Sequence, residues 1–304
     1  MLCSCGRPHP TLFAERVDAD KKAIDDLTKQ LASQSGPLYE LTKAKISELT
    51  AEVSAETKMR RALARSRREM ISNLKAALDL TSSDQLLLLS RDELAEFILR
   101  GGLGLAIEDF IDAQEAITKS ALDTLQVIIS GASIADVPDL ESLGLAAADS
   151  VFQDTILPNA LAGVRTALQG ISVGVPVNRA MTALSQRLEQ AEGREITVVR
   201  TELAKYGRSI TAKVAEEYDL DLYLYTGPRD GITRDFCKPL IGKVAHKQQI
   251  NRLNNGQGLP VLTSGGGYNC RHSWSPVTEG FVEAAGLPYA TSKDITKANT
   301  GGAR

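Results

Sequence analysis

A chain of 304 residues, 43% hydrophobic and 24% charged, has the composition of an ordinary globular protein with room for about two domains. A formal net charge of −3 removes any global electrostatic reason to bind nucleic acid. The longest apolar run, "LLLL" at 86–89, falls far short of the ~18 residues that a membrane span needs.

In chain order, "MLCSCGRPHP" lacks the apolar core of a secretory signal, so cytoplasmic synthesis without secretion is expected. The four cysteines, Cys3, Cys5, Cys237 and Cys270, are then expected as free thiols or metal ligands before a disulfide framework. Residues 19–80 predict helix. Ile24, Leu27 and Leu31 form one apolar stripe; Ile46, Leu49 and Val53 form another. "SQSGP" at 33–37 breaks the pattern and predicts a helical hairpin or two consecutive helices, as a coiled-coil seam or as amphipathic helices packed on the rest of the chain.

Within that region "KMRRALARSRRE", 58–69, holds six basic residues and one acidic. Arg60, Arg61, Arg65, Arg67 and Arg68 would surround a helix there, either to meet DNA phosphates or an acidic partner, or as a solvated face. Ser90 and Glu93 form a capping box whose helix is expected to stop at Gly101–Gly102. Further helices are predicted at 105–129 and near 150–168, with a loop at 131–144 and the main linker at 169–180. The strongest helix runs from Glu195 to Tyr218, with Ile196, Val199, Leu203, Tyr206, Ile210 and Val214 on one face and Thr201, Lys205 and Arg208 on another. "LDLYLYTG" reads as a strand, and turn-rich segments follow it. The tail "TSKDITKANTGGAR" is expected to be mobile or ordered by a partner.

The chain therefore predicts a mainly α fold: a helical N-terminal region (hairpin or bundle) over 1–174, a small α+β module over 175–283 and a mobile tail over 284–304.

The chemistry concentrates in the second part. Cys237, His246, Cys270 and His272 are spaced C-x8-H-x23-C-x-H. Four N/S donors suit tetrahedral zinc, which would staple a module with little core. Free buried thiols and a Cys237–Cys270 disulfide stay open beside it. Asp230, Arg234, Asp235 and Arg271 are candidate charge pairs, with Arg271 reaching Asp230 or Asp235. His272 with either aspartate would be a base and its orienter, which keeps a phosphodiesterase or toxin-type enzyme as an alternative. The sequence has no G-x-S-x-G, P-loop or H-E-x-x-H, and no enzyme is expected. In "GGGYNCRHSWSP", glycines allow close backbone approach and Trp274 would plug a small core, so the stretch reads first as a folding corner.

The order "VVRTELAKYGRSITA", "LYLYTGPRDGITRDFCKPLIGKV", "NNGQGLPV", "GGGYNCRHSWSPV" resembles the C-terminal module of tailed-phage minor head (head-morphogenesis) proteins over about residues 175–280. In that pattern Cys237 and Cys270 match two family cysteines. Leu240, Gly267 and His272 stand where the family has Cys, His and Cys, so its four-ligand set is not intact and His246 is a substitute fourth ligand. The resemblance implies a structural virion protein that binds the portal protein, major capsid or scaffolding protein and assists head assembly, DNA packaging or ejection. It implies non-specific contact with phage DNA and no membrane partner. A zinc-stabilised nucleic-acid-binding module is a further alternative.

Overall fold

The computed structural model describes residues 10–302, with side chains from Asp20 onward; Cys3 and Cys5 lie outside that range. The protein is mainly α-helical, with a small three-stranded antiparallel sheet in its C-terminal part. Among the described residues no helix is long and apolar enough to cross a membrane.

Helix α1 (Pro10–Leu31) and α2 (Gly36–Leu80) are separated where the sequence breaks, with Gly36 at φ 63°. After the short α3 (Ser83–Leu87), α4 (Arg91–Ile98) starts at the expected capping box, Ser90 and Glu93 each closing on the other's backbone N–H. Its expected stop is instead a kink. Gly102 takes φ 137° inside a π-helical turn, Leu99–Leu103, and the chain continues as α5 (Gly104–Gln126) because Leu103, Ala106 and Phe110 still have a core to enter.

A 3₁₀ turn at Ile134–Asp136 interrupts the loop expected at 131–144, and α6 (Leu140–Val151) starts within it. A second π-helical turn, Phe152–Ile156, leads into α7 (Leu157–Ser172). The expected linker shrinks to a turn at 173–176, where Gly174 has φ 95°, and α8 (Val177–Glu217) begins well before Glu195. Ala180, Met181, Leu184 and Leu188 carry the apolar stripe back that far. All six residues of the predicted stripe, Ile196 to Val214, are buried.

Packing divides the chain into two compact units of interleaved segments. The first draws mainly on Ala55–Ala113 and Leu145–Val199, so the turn at 173–176 lies inside it. Its core includes Met59, Leu63, Phe110, Phe152 and Val164, with the Phe110 and Phe152 rings edge to face at 5.6 Å.

The second unit draws on Ala14–Ser54, Gln114–Gly144 and Arg200–Arg304. Its sheet has the order β2-β1-β3, with β1 Leu222–Thr226, β2 Val244–His246 and β3 Ser273–Val277. Tyr225 pairs with Trp274 across β1 and β3, and Leu222 with His246 across β1 and β2. Both sheet faces are covered. Tyr223, Tyr225 and Trp274 pack with Phe236, Leu240 and Ile250 on one side, while Leu222, Leu224 and Val277 meet Leu41 and Phe281 on the other. Short helices α9 (Lys247–Ile250), α10 (Val261–Ser264) and α11 (Glu279–Ala284) line this sheet.

The tail expected to be mobile is helix α12 (Ser292–Gly302), with Ala298 fully buried in the same core as Trp274. Two glycines let it dock. A Cβ on Gly301 would come within 2.6 Å of the Asp235 carbonyl carbon, and one on Gly302 within 2.3 Å of Asn254 O. Asn299 Oδ1 accepts from Asn254 N at 2.7 Å.

Candidate metal centre

Cys237 ends a tight turn in which its N–H donates to Arg234 O, and Cys270 closes the glycine loop with its N–H on Gly267 O. Cys270 and His272 are two residues apart in the chain entering β3. The fold brings all three together, buried, with their donor atoms within 4.8 Å of one another. The Sγ atoms lie 3.8 Å apart, and Cys270 Sγ is 3.7 Å from His272 Nδ1. A tetrahedral zinc with ordinary bond lengths has S···S and S···N edges of about 3.8 and about 3.6 Å, which these two separations match. Both cysteines are free thiols.

The surroundings suit thiolates. Gly266 N–H donates to Cys270 Sγ at 3.1 Å, and Tyr225 O–H donates to Cys237 Sγ at 3.3 Å. A hydrogen bond from Cys237, with His272 and Arg208 adding to it, holds the Cys270 thiol well below its usual range. Cys237 is pushed up by that same donation and by burial. His272 Nε2 lies 2.7 Å from Pro228 O; a carbonyl only accepts, so Nε2 carries a proton, and Nδ1 is the ring nitrogen turned to the sulfurs.

The glycines are a cradle. A Cβ on Gly266 would sit 2.7 Å from Cys237 Sγ and 3.3 Å from Cys270 Sγ. On Gly227, at φ 147°, it would meet His272 Cδ2 at 2.4 Å. Gly227→Ala is therefore expected to destabilise the protein by roughly 2–4 kcal/mol, combining backbone strain with a displaced imidazole, as read from urea denaturation. A variant with unchanged stability would mean that His272 is not held where the structure has it.

Arginines fix the corner. Arg208 donates to Cys270 O at 2.6 Å, and Arg234 donates to Gly266 O and, at 2.6 Å, to Tyr268 O. Arg271 pairs with Asp230 at 2.8 Å. Beside them Arg200 grips Asp20 through two bonds, of 2.7 and 3.0 Å. Asp20, Arg200, Arg234 and Arg271 border, with Cys237, Cys270 and His272, a cleft of about 150 Å³.

Not every expected residue joins. His246 is exposed on β2, with Nδ1 2.8 Å from Asp221, so it is no fourth ligand: the β2 register points it to solvent. Asp235 is exposed and pairs with Lys238, while Asp230 alone takes Arg271. His272 meets Pro228 O and Cys270 Sγ rather than a carboxylate orienter. In the basic run, Arg60 and Arg67 share Glu192, Arg67 also holds Glu195, and Arg65 pairs with Asp109. Arg61 and Arg68 are exposed. Nothing local in the sequence marks Asp20, Arg200 or Tyr225 as site residues. Of the polar face Thr201, Lys205 and Arg208, Thr201 and Arg208 face the Cys270 corner, Thr201 accepting from Asn269 N, while Lys205 pairs with Glu202.

A second cluster lies on the other side of Arg271. Lys45 is buried between Glu48, at 2.5 Å, and Ser273, at 3.2 Å, and half-buried Glu52 lies nearby. Burial pushes the Glu52 carboxyl from 4.5 up to about 7, with Arg208 opposing it. The folded state then binds this proton more tightly than the unfolded chain. The contribution of Glu52 to stability is therefore most favourable below pH 4.5 and falls as pH rises to about 7. Glu52→Gln is expected to flatten that decline and to raise stability at pH 8 by roughly 1–3 kcal/mol. Parallel wild-type and variant pH–stability curves would show that Glu52 titrates normally.

Comparison with known proteins returns no match among protein-family models, curated proteins or solved structures.

Proposed function

We propose that this chain is a structural minor head protein of a tailed bacteriophage, incorporated into the virion beside the portal or inner capsid, and that zinc occupies the Cys237–Cys270–His272 group. One observation carries the reading. The residues of the minor-head-like motifs converge on a single corner and hold it closed: Cys237 beside Cys270, Arg234 on the glycine loop, Arg271 on Asp230 and Trp274 beneath them. A motif set spent on holding a small unit together suits a structural component, and zinc would strengthen that hold. His272 turns Nδ1 to the sulfurs, and each sulfur already has a hydrogen-bond donor, the surroundings that metal-bound thiolates require.

In the first unit Arg60 and Arg67 are engaged by glutamates. Any DNA or portal contact from the basic run therefore falls first to exposed Arg61 and Arg68. The full-length chain should co-purify with the portal protein encoded beside it and be detected by mass spectrometry in purified particles. Particles made without it should fail in assembly, packaging or ejection. Absence from particles together with no portal, capsid or scaffold binding would refute the structural role. Elemental analysis should find one zinc per chain, lost in Cys237→Ser; a metal-free protein purified under reducing conditions without chelator would refute the zinc.

A further inference from the structure

Resting on the zinc reading, we infer that the metal centre is open: its fourth position faces the arginine-lined cleft and takes a small oxyanion, a carboxylate or a phosphate group. Closed structural sites have four protein ligands, whereas three protein ligands leave a place for an exchangeable one. Among the described residues the ligand group has three members, and His246, the obvious fourth, is turned to solvent on Asp221. The nearest other donor is Tyr225. Its hydroxyl is 3.3 Å from Cys237 Sγ and 3.8 Å from Cys270 Sγ, and its O–H is directed at Cys237 Sγ. Tyr225 is thus placed as a hydrogen-bond donor to sulfur.

The remaining side of the site is the cleft. Its volume of about 150 Å³ is far beyond the ~10–15 Å³ that one water needs, yet too small for a folded segment. Its charge selects the ligand. Two thiolates neutralise a zinc ion, and the guanidiniums of Arg200, Arg234 and Arg271 are set against the carboxylates of Asp20 and Asp230, leaving one positive charge. The surplus falls on Arg234, half-buried at the cleft wall, beside the Arg200 and Arg271 side chains, each 6% exposed. A monoanion bound to the metal and held by guanidinium N–H groups would balance it.

The test uses the full-length chain loaded with Co²⁺, whose visible bands report coordination number and ligand exchange. Sodium acetate and inorganic phosphate are added separately. The expected result is a saturable shift of the cobalt bands with one or both anions; which of them binds more tightly identifies the source as carboxylate or phosphate. Ile232, 60% exposed at the cleft edge, gives a variant that leaves the ligands alone. Ile232→Glu should keep cobalt binding and weaken the anion response about tenfold or more, because it puts a competing carboxylate at the mouth. Tyr225→Phe should leave the number and intensity of the cobalt bands unchanged. Cobalt that binds with four-coordinate intensity but ignores both anions, or bands that collapse in Tyr225→Phe, would overturn the open site while leaving the metal centre standing. Failure of the wild-type chain to bind cobalt or zinc at all would overturn both.

Discussion

Asp20→Ala is expected to lower the stability of the protein by ~3–5 kcal/mol, the largest effect of any single substitution considered for this chain. The Asp20 side chain is 3% exposed and its Arg200 partner 6%. Arg200 reaches both carboxylate oxygens, and Arg271 Nε lies 3.9 Å from one of them. Taking away the carboxylate leaves a desolvated guanidinium facing another, and that imbalance dominates over the lost Coulomb attraction. Asp20→Asn, which keeps the shape and one acceptor, should cost less than alanine. Asp26→Ala removes an ion pair whose lysine is 78% exposed and should change stability by no more than about 0.5 kcal/mol. Urea denaturation of the three variants reads all of this. An Asp20→Ala midpoint equal to wild type would mean that the pair contributes nothing.

Removing zinc from the loaded protein with a chelator is expected to cost about 3–4 kcal/mol when free zinc had been held at about 100–1,000 times its dissociation constant. The same treatment should leave Cys270→Ser unchanged, because the variant has no loaded state to lose. Even without metal, Cys270→Ser should cost ~1–3 kcal/mol. It replaces a sulfur that accepts from Gly266 N–H with a smaller atom in a site shaped for a larger one. Thermal melts of both proteins, with and without chelator, make the comparison. A chelator effect of equal size in the variant would move the stabilising metal elsewhere in the chain.

The sequence was most legible where one local rule sufficed. The Ser90–Glu93 capping box and the stripe from Ile196 to Val214 are where periodicity and capping placed them. Cys237, Cys270 and Trp274 could be grouped because glycines and turns bracket them. Less legible were the places where distant segments decide. Gly101–Gly102 looks like a helix stop, yet tertiary packing carries the chain through as a kink. The tail composition is that of a mobile segment, yet two glycines let it dock. Asp20 is one of several acidic residues in α1, and nothing local distinguishes it from Asp25 or Asp26. Its partner lies 180 positions away. His246 shows the converse error: spacing made it a ligand, and strand register turned it outward.

The interleaving of the second unit has a consequence for synthesis on the ribosome. Lys45 waits for Ser273, 228 positions later, and Leu41 for the strand that begins at Leu222. At about 5–20 residues per second, Lys45 spends roughly 10–50 seconds in the nascent chain before its partner is made. The stripes of α1 and α2 around Ala23, Leu27 and Leu49 can cover each other early, but Leu41 stays uncovered until the sheet is made. The late segments depend on the early ones too, since a chain lacking Ala14–Ser54 would lose Leu38 and Leu41 from the cover of the Leu222–Leu224 face of the sheet. The early segment Ala14–Ser54 and the late segment from Arg200 onward are thus one folding unit in time as well as in space, and a product truncated between them would be a substrate for chaperones and proteases.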